Sequence, residues 1–258
     1  IQLPNTLHDE WSRKAADAGK HVLCEKPLCP TADEAEALIA YGESKGVKIL
    51  DGFMWPHHPR TQELKNLLED GTIGEVRRVV GSFSFQMDPE DTKNIRLQRN
   101  LAGGSLLDIG CYPVYGIRWA MNAEPTRVFA SARFVNDVDL EMSGTLEFAD
   151  ERSALFDCSF QMPYRCWLEI IGSKGEIYIP RMWQPKPEAN YFILLDGNQE
   201  ERVVSGENHV VHMIQNFSNA VLKGEKIQPD PREAVKSLRV MDALDLSARE
   251  HRVVEVTS

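Results

Sequence analysis

No apolar run in this 258-residue chain approaches the ~18 residues of a membrane-crossing helix, so no membrane partner is expected. Basic residues are scarce: 29 Lys and Arg stand against 39 Asp and Glu, for a formal net charge of −10. That balance offers no electrostatic footprint for nucleic acid or anionic lipid. Cysteine is sparse too. The five thiols (Cys24, Cys29, Cys111, Cys158 and Cys166) are odd in number and include no Cys-x-x-Cys pair. Neither a disulfide framework nor a zinc site is indicated, and a reduced, cytoplasmic setting is expected. No two glycines stand two apart, so G-x-G-x-x-G does not occur, and neither does a P-loop or a G-x-S-x-G elbow. Repeats and low-complexity stretches are missing as well. What remains is 42% hydrophobic and 26% charged, enough to build a core and at odds with disorder.

The first seventy residues alternate helix and strand. Leu7, Trp11, Ala15 and Ala18 recur at helical spacing before Gly19, and residues 21–25 read as a short apolar strand. Thr31 and Glu34 form a capping box for a helix whose apolar stripe includes Leu38 and Ile39 and which Gly46 ends. Residues 47–53 give a second strand, and 59–68 a helix with Leu64, Leu67 and Leu68 inward. Strand–helix–strand with short links predicts a parallel pair. From residue 75 the rhythm changes to strands without intervening helices, at 75–86, 126–136, 140–149, 153–161, 165–171, 176–180 and 190–196. An antiparallel or mixed sheet follows from that order. Two helices close the chain. One, over 209–222, carries Val210, Ile214, Phe217 and Val221 on one face; the other opens at Asp230-Pro231-x-Glu233. The fold class is α/β followed by α+β, with a boundary between residues 1–73 and 74–258.

Four places could carry chemistry. Glu25-Lys26-Pro27 follows a parallel strand, the end at which open α/β sheets bind ligands, although a solvated strand end would read the same way. In Gly103 to Tyr112, Ser105 is a candidate N-cap that sets Asp108 and Tyr112 one turn apart, an acid and a phenol suited to proton transfer. The alternative is that Asp108 completes the cap and Tyr112 belongs to the core. The adjacent glycines indicate close backbone approach, and Pro113 should kink the helix. Asn5 is a candidate cap for the first helix, with His8 exposed in its first turn. His57 and His58, being adjacent, point different ways and make a poor metal pair, so no metal is expected.

Together, Pro4-Asn5-Thr6-Leu7-His8, Gly19 to Pro27, Gly103 to Tyr112 and Ser247-Ala248-Arg249-Glu250 resemble the glucose-fructose oxidoreductase / inositol dehydrogenase / rhizopine-catabolism (Gfo/Idh/MocA) family of nicotinamide-dependent oxidoreductases. The resemblance implies a Rossmann-type domain followed by a domain with a large open-faced sheet. It assigns Lys26 to the nicotinamide and the substrate hydroxyl, Tyr112 to proton transfer and Asp108 to orienting substrate. Asn5, His8, Glu25, Lys26 and Pro27 fall where such proteins hold NAD or NADP, with the Pro27 bond often cis. Tyr112 stands where inositol dehydrogenase relatives have His, which steers the substrate toward aldoses or vicinal diols. Hydride transfer at a carbinol carbon is the implied reaction. The same fold also admits an NAD-dependent glycosidase or a non-catalytic remnant.

The Gly-rich front of the family would precede Ile1. The chain is therefore read as a fragment whose own affinity for NAD(P) is weak, since that turn supplies the pyrophosphate donors. A homodimer or homotetramer through the open sheet is expected, on the strength of Phe83, Phe85, Phe129, Phe134, Phe148 and Phe160 at alternating positions.

Overall fold

A computed structural model describes residues 1–91 and 93–257. A short 3₁₀ turn at Asn5–Leu7 leads into α1 (His8–Asp17), then β1 (Val22–Cys24), α2 (Ala32–Ser44), β2 (Ile49–Asp51) and α3 (Pro59–Glu69). β1 and β2 pair in parallel, Leu23 opposite Leu50, as the strand–helix–strand order requires. Thr31 Oγ1 accepts from the Glu34 amide at 3.4 Å and starts α2, while Gly46 ends the segment at φ +69°.

The remaining chain forms β3 (Val76–Gln86), a π-helical turn (Leu106–Gly110) running into α4 (Cys111–Met121), then β4 (Pro125–Val135), β5 (Val138–Phe148), β6 (Ser153–Ser159), β7 (Gln161–Gly172), β8 (Gly175–Pro180), β9 (Glu188–Leu195) and β10 (Asn198–Ser205). After these come α5 (His209–Leu222), α6 (Arg232–Glu250) and β11 (Val254–Glu255). The strands make one nine-stranded mixed sheet in the order β10-β9-β8-β7-β3-β6-β5-β4-β11. Within this sheet, among the described residues, only the β3–β6 pair is parallel. β10 and β11 lie outside the strands expected from sequence. β10 reads Asn-Gln-Glu-Glu-Arg-Val-Val-Ser, an edge strand protected by charge and without apolar alternation.

One face of the sheet is covered. α4 lies on β3, where Gly81 lets Pro113 approach, and α6 packs on β4 and on α2. Arg118 of α4 holds this layer by pairing with Glu124 (2.6 Å), Glu233 (2.9 Å) and Ser237 (2.7 Å). The other face is open, and the phenylalanines are a correction. Phe83, Phe148 and Phe160 are buried, and Phe85 and Phe134 pack onto the core from the helix side. The period of two puts neighbouring residues outward instead. Phe129, Leu155 and Tyr178 are the exposed residues here, with Trp167 and Phe192 beside Tyr178 at ring separations of 6.0 and 6.4 Å.

Two helix faces also differ from expectation. α1 buries His8, Ser12 and Ala16 and leaves Trp11 outward, where the Lys14 ammonium covers its ring at 4.5 Å. α5 buries Met213 and Ala220, while Ile214 is half exposed. Ser105 does not cap a helix: its backbone is already helical and its hydroxyl donates to Asp139.

A single buried cation ties α3 to the sheet. Arg60 is 1% exposed and donates to the carbonyls of Pro180 (3.1 Å), Asn190 (3.0 Å), Arg181 (3.2 Å) and Met182 (3.2 Å). Burial lowers its pKa to about 10, so it stays charged at neutral pH. Arg60→Met keeps the stem but strands four carbonyls, each a buried acceptor worth ~1 kcal/mol or more. Urea unfolding of this variant should show a loss of roughly 2–4 kcal/mol. An unchanged midpoint would contradict the role given to Arg60.

Candidate active site

The two parallel strands end side by side, and the site begins there. β1 leads into Glu25-Lys26-Pro27, with the Lys26–Pro27 peptide bond cis. From β2 the chain runs through Phe53 and Met54. The Lys26 ammonium, 12% exposed, donates to the Asp108 carboxylate at 3.0 Å and to the Asp108 carbonyl at 2.5 Å. It also sits 5.3 Å from the centre of the Tyr112 ring. The structure therefore brings Lys26, Asp108 and Tyr112 together across 82 residues or more of chain. Pro113 falls in the first turn of α4, directly after the π-helical turn that carries Asp108.

A fourth member gave no signal in the sequence. Arg96, from a 3₁₀ turn at Ile95–Leu97, donates to the other Asp108 oxygen at 2.6 Å. One carboxylate thus bridges two cations. The adjacent glycines explain how Arg96 reaches it. A Cβ on Gly103 would stand 2.5 Å from the Arg96 carbonyl oxygen, and the Gly104 amide donates to that oxygen at 2.9 Å. Gly104 itself has φ +127° and crowds the Asp139 carboxylate, which accepts from Ser105 Oγ (2.6 Å) and the Leu106 amide (2.7 Å). The glycine pair clamps the Arg96 turn to the helix.

The electrostatics follow from this clamp. Burial alone would raise the Asp108 pKa, but Lys26 and Arg96 outweigh it and hold the carboxyl below its ordinary range. Burial likewise acts to deprotonate Lys26, and Asp108 reverses this, keeping the ammonium above its ordinary range. For Tyr112 the balance goes the other way: burial raises the phenol and Lys26 only partly offsets it. The phenol is therefore held above its ordinary range, although a neighbouring cation by itself would depress it. Lys26 lies over the ring rather than at the hydroxyl, which donates weakly to Met54 Sδ at 3.8 Å.

Asn5 and His8 do not sit as expected. Asn5 does not cap α1; its amide donates to the Ala102 carbonyl at 2.9 Å. His8 is fully buried, with Nδ1 2.9 Å from the Pro27 carbonyl and Nε2 2.9 Å from that of Leu3. His8 thus braces the Pro27 loop next to Lys26, and Asn5 braces the turn that leads into Gly103. His57 and His58 are buried, His58 Nδ1 accepting from the Arg60 amide at 3.1 Å at the start of α3. No cluster of three metal-ligating side chains occurs among the described residues. All five cysteines are free and buried, and no helix is long and apolar enough to cross a membrane among the described residues.

Comparison with known proteins gives the context. A family profile described as "Oxidoreductase family, NAD-binding Rossmann fold" matches residues 1–53, and the "GFO/IDH/MocA C-terminal domain" profile matches 61–178. A D-xylose 1-dehydrogenase (NADP(+)) of Haloferax volcanii is 35% identical over 260 residues, 99% of this chain and 79% of that protein. The chain belongs to the Gfo/Idh/MocA oxidoreductase family. A dTDP-3,4-didehydro-2,6-dideoxy-alpha-D-glucose 3-reductase of Actinomadura kijaniata is 30% identical over 254 residues, 97% of this chain and 76% of that one. An aldose-aldose oxidoreductase from Caulobacter crescentus, complexed with glycerol, superimposes with TM-score 0.91 at 29% identity, covering 99% and 78% of the two chains. A 3-ketoreductase from Actinomadura kijaniata, in complex with NADP and TDP-benzene, does so with TM-score 0.89 at 30% identity, covering 96% and 77%. As in other family members, the chain's chemistry is nicotinamide-dependent oxidation and reduction, and NAD or NADP is its cofactor. The donor set fits: Lys26 offers a fixed cation at the C-terminal end of a parallel strand, where a dinucleotide lies in such sheets.

One buried acid near the site has no such partners. Asp51 ends β2 at 4% exposure, and burial lifts its pKa to about 7. A carboxyl whose folded pKa is raised stabilises the fold below its unfolded value near ~4 and loses that contribution as pH rises through the folded value. The loss across that window is on the order of 4 kcal/mol at ~1.36 per unit. Asp51→Asn should therefore flatten the decline in unfolding free energy between about pH 4 and 7 relative to wild type. Parallel curves for the two proteins would contradict this.

Proposed function

We propose that this protein interconverts a hydroxyl and a carbonyl on an aldose or vicinal diol, with Lys26, Asp108 and Tyr112 at the reacting carbon. The observation that carries the reading is the Lys26 ammonium, fixed by Asp108 and lying over the Tyr112 ring at the end of β1. When bound, the nicotinamide supplies the hydride acceptor or donor. Lys26 points its remaining donor capacity at the substrate oxygen and stabilises negative charge developing there. Tyr112 exchanges the hydroxyl proton. Its burial favours the protonated phenol, so the resting site is set to deliver a proton to a carbonyl, and oxidation should speed up as pH rises. Glu25, Lys26 and Pro27 form the cofactor-facing loop, which His8 supports through the Pro27 carbonyl, while Asn5 ties the same N-terminal turn to Ala102. The substrate class follows relatives such as the D-xylose dehydrogenase and the trans-1,2-dihydrobenzene-1,2-diol dehydrogenase of Xenopus laevis, the latter 32% identical over 170 residues. Solved structures of the Actinomadura ketoreductase include variants in which a lysine or a tyrosine is replaced, the same two residue types.

We divide the chain at residue 74, cofactor-binding part before and substrate part after, because the parallel pair and α3, which ends at Glu69, precede it and β3 begins at Val76. The open face with Phe129, Leu155, Trp167, Tyr178 and Phe192 serves homo-oligomer assembly in this reading. An apolar patch of that breadth is uncommon on a monomer. Light scattering at micromolar concentration should give a dimer or tetramer, and Tyr178→Glu should shift it toward monomer; a wild-type monomer would end the proposal.

Tyr112→Phe tests the catalytic reading. General acid–base groups contribute ~10²–10⁴-fold, so kcat should fall by about that factor with cofactor affinity unchanged. The melting temperature should hardly move, since among the described residues the hydroxyl's hydrogen bond is the weak one to Met54. Near-normal kcat with a lowered melting point would show Tyr112 to be a packing residue instead.

A further inference from the structure

The buried carboxylate of Asp139, 6% exposed on β5, takes no direct part in the proposed reaction and forms no ion pair among the described residues. The cavity wall it shares adds mainly like charge, from Glu34 of α2 and from Asp242 and Asp245 of α6. Arg99 lies on the same wall, and Asp137 engages it at 3.5 Å. From β6, Cys158 approaches Ser105 Oγ at 3.5 Å, and burial keeps that thiol neutral. Burial pushes the Asp139 pKa up to about 6, against the pull of Ser105 and the Leu106 amide, so the group is an anion at neutral pH. A buried carboxylate without a cation is costly, and its position must be explained by what it grips.

It grips the start of the turn that carries Asp108. One oxygen accepts from Ser105 Oγ at 2.6 Å and from the Leu106 amide at 2.7 Å. Gly104, next in the chain, makes the two bonds that place the cluster: its amide donates to the Arg96 carbonyl at 2.9 Å, and its carbonyl accepts from the Asp108 amide at 3.1 Å. A Cβ on Gly104 would collide with the other Asp139 oxygen, so the carboxylate lies directly against this junction. A π-helical turn is a rare conformation, and Ser105 gives this one no cap of its own. A carboxylate at a helix start satisfies an unpaired amide, complements the dipole, and makes short charge-assisted bonds. Asp139 supplies from β5 the cap that the local sequence lacks.

We propose that Asp139 is a positioning residue for the active-site cluster: by capping the π-helical turn from β5 it sets where Asp108 and Arg96 stand, and thereby how Lys26 is held. The inference rests on the catalytic reading of Lys26 and Asp108. Asp139 acts on Lys26 through the turn. Without the cap Asp108 loses its fixed place, and the Lys26 ammonium, bonded to both the carboxylate and the carbonyl of Asp108, opens to water more often.

The test follows the ammonium protons of Lys26 by proton–nitrogen NMR of the full chain labelled at lysine, with Lys26→Met assigning the signal. A buried, hydrogen-bonded ammonium exchanges slowly with water, and loosening one charged contact should quicken that exchange about tenfold. Asp139→Ala removes both contacts and should show this increase. Asp139→Asn keeps a neutral acceptor of the same size and should stay closer to wild type. If Asp139→Ala does not fold, Ser105→Ala removes one contact and should give a smaller increase of the same sign. The backbone amide of Ile177, buried in β8 away from the cluster, should keep its rate throughout. The proposal is overturned if Lys26 exchange is unchanged in the alanine variants, if Asp139→Asn is as fast as Asp139→Ala, or if Ile177 quickens in step with Lys26, which would show only general loosening. No turnover enters this measurement, so its failure leaves the catalytic reading standing. Full activity in Lys26→Met would end that reading and leave the exchange rates as they are.

Discussion

A single carboxylate between two cations organises the candidate active site. Asp108 meets Lys26 at 3.0 Å and Arg96 at 2.6 Å, and each neighbour comes from a different part of the chain. Isolated in this position, a buried lysine would tend to lose its proton and a buried aspartate would tend to gain one. Placed together they hold each other ionised. Removing one member strands the others, which is why buried ion groups are costly to break even where they add little to stability. The interaction fixes a positive charge beside Tyr112, which is what the proposed reaction needs near a substrate oxygen.

The scaffold can be understood as the means of holding that cluster. β1 delivers Lys26 with its neighbouring Pro27, whose carbonyl His8 braces. The π-helical turn delivers Asp108, both of whose carboxylate oxygens are engaged by the two cations. Gly103 and Gly104 draw the Arg96 turn inward through its carbonyl, and Gly104 also makes room for the Asp139 carboxylate. Farther out, Arg60 binds α3 to the β8–β9 connection and Arg118 binds α4 to α6. Arg60 thus sets the helix that follows the parallel strands against the mixed sheet, Arg118 fixes the helical layer on that sheet, and the Lys26–Asp108 pair joins the same two parts of the chain. Their guanidinium groups suit the task because each serves several acceptors from one rigid plane.

Much of this architecture was legible in the sequence, for identifiable reasons. The parallel pair, the long run of strands and the two closing helices all carry strong apolar periodicity. Lys26, Asp108 and Tyr112 sit in short motifs whose company is specific. The failures arose where burial and polarity part ways. His8 and Ser12 are buried polar residues, so the apolar spacing of α1 pointed to the wrong face. The edge strand β10 is charged for protection and lacks the alternation that marks a strand. The phenylalanines followed the right period, yet a period of two does not say which face a helix will cover. Arg96 had no local signal at all. The glycine pair correctly announced a close approach, but the approaching group was a backbone carbonyl of the same chain.

The central claim is that Asp108 keeps Lys26 protonated beside Tyr112, and the pH profile of kcat/KM for sugar oxidation in Asp108→Asn tests it most directly. Without the carboxylate, the largest influence opposing burial is gone and the Lys26 pKa falls. The account predicts that the variant loses activity as pH rises above neutrality, through an ionisation not seen in wild type. A profile of unchanged shape, with kcat/KM within a few-fold of wild type, would contradict it.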